Sequence, residues 1–292
     1  MAYRLSRRSF MNRIGVSSIG AAAATVAAGM AGKANAQATR KAVENATLVS
    51  IEKPGGVVHT FVTNNDGRVT IQLIEGPDGL LLVDSGDAPQ YSAEARAFAE
   101  SLGKPIEAVL ISHDHPDHTG GLVSYAGLPI FTSSGILANI QNGPFDKPDN
   151  LGEVQVLDDA ETTLAGVAVR IHNYKQAEAA EQIVIEAPEM GTAIVQDLVY
   201  NNAYFFPGLD RSNWIAVLDD LRNKLDAETL LVGHGYPASR GELAAAIDYL
   251  TEYNLMVEAS SGPEELVAKM KERWPDRMAE GILNLQGFAF RG

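Results

Sequence analysis

The chain has 292 residues, 46% apolar and 21% charged, with 27 glycines and 13 prolines, which places it among folded globular proteins and excludes disordered and collagen-like classes. Acidic side chains outnumber basic ones by 37 to 23, and a surface of that sign repels nucleic acid and anionic lipid. No cysteine is present, so disulfides, thiolate nucleophiles and zinc-thiolate sites are excluded together, and any metal must be held by histidine and carboxylate.

The charge is unevenly spread. Residues 1–36 carry Arg4, Arg7, Arg8, Arg13 and Lys33 and no acid. The paired arginines precede Phe10-Met11, an Ala/Gly-rich stretch fills 14–32, and a small-x-small site stands at Ala34-Asn35-Ala36. This segment resembles a twin-arginine signal peptide. The resemblance implies cleavage ahead of Gln37, export of a folded chain to the periplasm or beyond, and no stable membrane insertion of the product. The expected mature domain, residues 37–292, has 256 residues and a net charge of −19, from 18 basic against 37 acidic side chains.

Beyond residue 45 the pattern is of short β-branched runs at 46–51, 57–63, 69–74 and 80–83, separated by Pro54-Gly55-Gly56, Asn64-Asn65-Asp66-Gly67 and Pro77-Asp78-Gly79. Such punctuation predicts a meander of antiparallel strands. A helix is expected from Ser92, with Ala95, Phe98, Ala99 and Leu102 on one face, and Gly103 and Pro105 stop it. An apolar strand follows at 106–111. The second half repeats the logic, with strands at 154–157, 167–171, 182–185 and 192–195. Next comes a helix carrying Trp214, Val217, Leu218, Leu221 and Leu225, then a strand at 229–232, then helices at 238–257 and 263–273. No linker or repeat divides the mature chain. Strands followed by helices, twice over, suggest two packed sheets with helices outside.

The chemistry concentrates in His113-Asp114-His115-Pro116-Asp117-His118, directly after the strand at 106–111. Three imidazoles and two further carboxylates in six residues are costly to bury unless something offsets their desolvation, and a bound cation does so. His113 and His115 can converge on one metal while Asp117 and His118 turn toward a second.

That motif, preceded by Leu80-Leu81-Leu82-Val83-Asp84-Ser85-Gly86 and followed by Asp197 and by Gly233-His234-Gly235, resembles the metallo-β-lactamase superfamily. The resemblance implies an α+β fold, an αββα sandwich of two mixed sheets flanked by helices, with a dinuclear site at one edge. It implies that His113 and His115 bind the first metal, that Asp117, His118 and His234 bind the second, and that Asp197 bridges both. Asp84 would orient a ligand, or else cap the tight turn ahead of Gly86. The family's usual third histidine for the first metal lies about nineteen residues before the bridging aspartate, where this chain has Glu178. A glutamate there is similar to the Glu-Ala-rich motif of the zinc-dependent alkylsulfatases. Glu181 in the same loop, His172, or no residue at all are the alternatives. A carboxylate at this point hardens the site, so two divalent ions, zinc first and manganese or iron after it, are the expected cofactors.

The resemblance implies a metal-dependent hydrolase, in which a metal-bound hydroxide cleaves an ester-like bond of a small molecule: a sulfate ester, lactone, thioester or related group. Asp117 serves as ligand and proton acceptor, and Tyr236 is a candidate donor to a developing oxyanion. His59, Tyr200, Asn201, Tyr204 and Arg211 are the expected substrate-pocket residues, with Arg211 holding an anionic group or pairing with Asp210 or Asp219. The alternative of another class is a mononuclear iron dioxygenase of the same fold acting on small thiols.

Overall fold

The computed structural model describes residues 38–148, 151–158 and 161–290, so the expected signal segment lies outside the described residues. Eight strands form the first sheet in sequential order: β1 (Ala38–Ala42), β2 (Ala46–Lys53), β3 (Gly56–Thr63), β4 (Thr70–Glu75), β5 (Leu80–Val83), β6 (Ile106–Leu110), β7 (Ile130–Thr132) and β8 (Val154–Val156). The strands from β1 to β5 pair antiparallel, and those from β5 to β8 pair parallel. The change of direction follows from connection length. Tight turns join the early strands, whereas α1 (Pro89–Ser101) carries the chain back between β5 and β6. All four residues of β5 are buried, as a strand covered on both faces requires. A single helical turn, α2 (Pro116–Thr119), and α3 (Ser134–Asn142), capped by the Ser133 hydroxyl on Ile136 N, complete this half.

The second sheet has the order β14-β13-β12-β11-β10-β9, built from β9 (Glu161–Leu164), β10 (Val167–Lys175), β11 (Glu181–Ala187), β12 (Thr192–Asn201), β13 (Thr229–Gly235) and β14 (Ala238–Ser239). Only β12 and β13 pair parallel, joined through α4 (Arg211–Lys224). Two further helices, α5 (Glu242–Glu258) and α6 (Pro263–Arg273), are followed by a 3₁₀ segment at Glu280–Phe290. Residues of the inner strands divide by period two. Ile183, Ile185, Ile194 and Leu231 join the core shared with the first sheet, while Val184, Ala193, Val195, Leu230 and Val232 join the core under α4 and α5. The chain is therefore an αββα sandwich of two mixed sheets. Among the described residues no helix is long and apolar enough to cross a membrane.

Several expected boundaries shift. The strands expected at 192–195 and 229–232 run on to Asn201 and Gly235, so Asp197, Tyr200 and His234 stand on strands and not in loops. The helix expected from residue 238 starts at Glu242, because Ala238–Ser239 pairs with β13 first.

A buried polar network ties the two sheets beneath the future site. Thr60 Oγ1 donates to Gln72 Oε1 at 2.6 Å. Gln72 Nε2 reaches Gln196 Oε1 at 3.2 Å and the Val232 carbonyl at 3.0 Å. Thr70 Oγ1 donates to that same carbonyl at 2.6 Å. Network members satisfied from both sides fix how one sheet sits on the other.

Candidate metal centre

Six of the seven expected metal ligands hang from ends of strands that meet at one edge of the sandwich. The turn after β6 supplies His113, His115, Asp117 and His118, while β12 supplies Asp197 and β13 supplies His234. The seventh, Glu178, lies in the tight loop between β10 and β11, where Gln176 at φ 53° reverses the chain. The β12–β13 pairing shifts register between Ile194 and Gln196 and again between Gln196 and Tyr200. Such irregularities re-aim side chains, and here they turn Asp197 and Tyr200 into the same space.

Two donor sets result: His113, His115, Glu178 and Asp197, and Asp117, His118, Asp197 and His234. The donor atoms of each set lie within 4.8 Å of one another, and all seven residues are buried. His115 Nδ1 stands 3.3 Å from Glu178 Oε1, and His113 Nε2 stands 3.8 Å from Asp197 Oδ2 and 3.9 Å from Glu178 Oε2. In the second set His234 Nε2 is 3.2 Å from Asp197 Oδ2 and 3.5 Å from Asp117 Oδ2.

Burying these groups without partners costs several kcal/mol by general estimates, and five of their atoms have no hydrogen-bond partner. His113 Nε2, Asp117 Oδ1 and Glu178 Oε2 are orphaned, and His118 Nε2 and Asp197 Oδ1 face each other at 2.9 Å without the alignment of a hydrogen bond. Orphaned donors of metal-ligating type, converging from both sheets, fit divalent cations.

The ligands are themselves held. Asp84, fully buried and left-handed at φ 63°, accepts from Ser112 N at 2.7 Å and Ser112 Oγ at 2.7 Å, and its Oδ2 lies 2.8 Å from His118 Nδ1. Gln196 Nε2 donates to the same oxygen. Ser112 Oγ in turn lies 2.9 Å from His113 Nδ1, so one carboxylate orients a ligand of each set. His234 Nδ1 is fixed by the Gly67 carbonyl at 2.6 Å. Asp84→Asn is expected to lower metal affinity roughly 10- to 100-fold, as measured by competition with a chromophoric chelator, because an amide cannot accept from all its present donors at once.

Burial and the neighbouring charges set the protonation pattern of the centre. Burial and the neighbouring His118 ring keep His113 well below the ordinary imidazole value of 6.5, so it is neutral at physiological pH. Burial opposes charge on His118 and His234, but Asp197 and Asp117 outweigh it and raise both above 6.5. Burial, then the Asp197 and Asp117 charges, push the Glu178 carboxyl well above 4.5. Asp197 is held well below 3.8, since His118 and His234 overcome its desolvation.

The sign of the pH dependence follows. Well above pH 6.5, His113 and Asp197 carry the same protons folded and unfolded, whereas His118 and His234 hold protons more tightly when folded. Stability of the chelator-treated protein is therefore expected to fall as pH rises from 6.5 through their folded values, by roughly 1.4 kcal/mol per pH unit for each proton still held. Added metal displaces those protons and reverses the trend. Thermal unfolding between pH 6.5 and 9, with and without chelator, checks both slopes.

The other expected site residues are distributed differently. Tyr200 joins the centre: it is fully buried, donates to Asp197 Oδ2 at 2.8 Å and stacks on His234 with ring centroids 4.5 Å apart. Tyr236 does not take the expected oxyanion role, because its ring lies under the Arg40 guanidinium at 4.3 Å and does not line the central cavity. His59 is on the other side of the first sheet, against Phe98 of α1 and bonded to Ser50, with Glu75 at 3.5 Å. Strand alternation directed it away from the metal edge. Asn201 supports the β13 end by donating to the Tyr236 carbonyl at 2.9 Å. Tyr204 donates to the Trp274 carbonyl at 2.7 Å within the helical core. Arg211 pairs with neither of its expected acids, donating instead to Asn254 Oδ1 at 2.5 Å and lying over Tyr253.

Of the alternatives to Glu178, Glu181 is engaged by Ser133, Asn173 and Lys175, and His172 by Glu186 at 3.1 Å. Ser112 and Gln196 escape motif reading altogether, although each is the immediate neighbour of a ligand.

A family model described as the metallo-beta-lactamase superfamily matches residues 64–234. A linear primary-alkylsulfatase from a Pseudomonas species is 26% identical over 261 residues, covering 68% of this chain and 49% of that protein. A hydroxyacylglutathione hydrolase from Albidiferax ferrireducens is 28% identical over 189 residues, covering 61% of this chain and 68% of that protein. The chain thus spans about half the length of the curated alkylsulfatase it matches. Among solved structures, a metallo-beta-lactamase from Pontibacter korlensis superposes with a TM-score of 0.56 at 18% identity, over 74% of this chain and 99% of that one. One from Erythrobacter litoralis gives 0.56 at 20% identity, over 73% and 100%. At such identities these two likenesses concern the fold alone, but the family match covers more than half of the sequence. On that match, with two donor sets assembled at the sheet edge, the chain belongs to the metallo-β-lactamase superfamily, and its relatives are hydrolases.

Proposed function

We propose that the protein is an exported hydrolase of an ester-like bond in a small molecule, working with two divalent ions, zinc by preference. The observation that carries this reading is the pair of buried donor sets sharing Asp197. When bound, the ions supply an activated water and a Lewis acid for the electrophile. Asp117 Oδ1, buried and without a partner, is placed to accept the proton released as water attacks. Burial and the Asp197 and Glu178 charges push the Tyr200 phenol well above its ordinary value, so it stays protonated. Its single O–H is given to Asp197, which it steadies. With no cysteine in the chain, no thiolate nucleophile competes with this route.

The three carboxylates among the ligands make manganese or iron workable substitutes. A thiol dioxygenase using one iron would leave Asp117 and His234 without a task, whereas both stand in the second set. The Glu178 ligand and the alkylsulfatase relative support sulfate esters among the candidates. Lactones and thioesters are candidates as well, the latter on the hydroxyacylglutathione hydrolase relative. Export is supported by the Arg7-Arg8 pair and the Ala34-Asn35-Ala36 site, and the −19 charge of the mature chain disfavours nucleic acid.

The test is a panel of sulfate esters, lactones, thioesters, aryl esters and β-lactams offered to the metal-loaded protein, with Asp117→Ala as control. Turnover of at least one class, reduced about 10³-fold or more by the substitution, is expected. Turnover of none, with oxygen uptake on small thiols, overturns the reading.

A further inference from the structure

The metal centre is roofed. The cavity between the ligands measures about 10 Å³, room for about one water molecule, and the residues closing it include Ile282 and Leu285 of the C-terminal 3₁₀ segment. Among the described residues, only Tyr200, Phe206, Ile282 and Leu285 line it besides the ligands. Among the described residues no lysine or arginine does so, and Arg211, the one cation expected there, is bonded to Asn254. His115, at the mouth, has Phe145 and Phe206 against its ring at 5.3 and 5.5 Å. A substrate larger than water enters only if this wall yields.

The segment that forms the roof has an unusual backbone and packs its inner residues Ile282, Leu283 and Leu285 into the helical core. Eleven consecutive residues, Glu280–Phe290, are 3₁₀, although such helices seldom exceed three or four residues because their hydrogen bonds are poorly aligned. The residue that starts it, Ala279, is left-handed at φ 63°, a conformation a non-glycine side chain holds only where the surroundings impose it. Its deepest polar anchor is one side chain: Gln286 accepts from Tyr253 Oη at 2.6 Å and donates to the Phe205 carbonyl at 3.0 Å.

We infer that Ile282 and Leu285 are the specificity-determining roof of the metal centre, selecting substrates whose group beside the scissile bond is apolar and uncharged. The inference rests on the hydrolytic reading of the site. The apolar faces of Ile282, Leu285 and Phe206 are the surfaces that receive that group. A second charge on it would meet no compensating side chain and would lose its hydration.

The experiment uses the cobalt-loaded full chain and follows its visible spectrum as acetate, hexanoate or succinate is added, each a carboxylate bearing a different tail. Each buried methylene is worth roughly fourfold in affinity. Hexanoate is therefore expected to bind at least about tenfold tighter than acetate, and succinate no tighter than acetate. Ile282→Ala and Leu285→Ala are expected to bring the hexanoate-to-acetate ratio down severalfold. Leu285→Phe, which keeps the core filled, shortens the preferred tail.

A ratio that none of the three substitutions moves, or succinate binding as tightly as hexanoate, overturns the inference. The same proteins are then given aryl esters of the three acids. Hydrolysis without tail preference condemns the roof alone. Binding preference without turnover of any class in the full panel of sulfate esters, lactones, thioesters, aryl esters and β-lactams condemns the hydrolase reading and leaves the roof standing.

Discussion

Asp197→Ala is expected to empty both metal sites and to lower hydrolysis on the order of a thousandfold or more. Its carboxylate is the one group common to both donor sets, and it faces His113, His118 and His234 at 3.8, 2.9 and 3.2 Å. Removing it leaves three donors on each side and takes away the charge that raises His118 and His234. Glu178→Ala makes the informative contrast, because Glu178 belongs to the first set only. Elemental analysis after gel filtration should find about one ion lost from the glutamate variant and both lost from the aspartate variant. Retention of two ions by Glu178→Ala would mean that the first site is completed by another group.

Gly233→Ala should damage the site without touching a ligand. A methyl group built on Gly233 falls 1.8 Å from Asp197 Oδ1 and 2.8 Å from the backbone of Asp197 and Gln196. Neither the neighbouring strand nor a buried, oriented carboxylate can withdraw far. The expected cost is about 3 kcal/mol, a fall in Tm of roughly 6–12 °C for a domain of this size. Metal affinity should drop in parallel, since Asp197 is what moves. Calorimetry of the chelator-treated protein separates the two effects, and an unchanged Tm would refute the steric argument. The glycine ahead of His234 thus matters for lacking a Cβ, and not for any unusual backbone angle.

Much of this was legible from spacing. Turn residues at Pro54-Gly55-Gly56 and Pro77-Asp78-Gly79 delimit the strands they were expected to delimit, and the four-residue apolar run of β5 points to Asp84 at its end. The histidine motif announces itself because so many ionisable groups in six residues have few other uses. Other elements are too short to carry a period: β7 has three residues and β14 two, and β1 is exposed throughout. The misplaced pocket residues have a common cause. Tyr204, Arg211 and Tyr236 follow site residues closely in sequence, whereas strand alternation and helix packing decide which way each side chain turns. Tyr200 differs from Tyr204 only by lying within β12, past its irregular pairing, and there it meets Asp197 three residues away. The roof residues, more than forty positions beyond His234, bear no local signature of the role.

The chain passes from the first sheet to the second once, between β8 and β9. Each donor set draws two groups from before that crossing and two from after it: His113 and His115 with Glu178 and Asp197, and Asp117 and His118 with Asp197 and His234. Neither four-residue set is therefore complete until the two sheets pack together. Loading must wait until the sandwich has closed, and the ions then act as rivets across the seam.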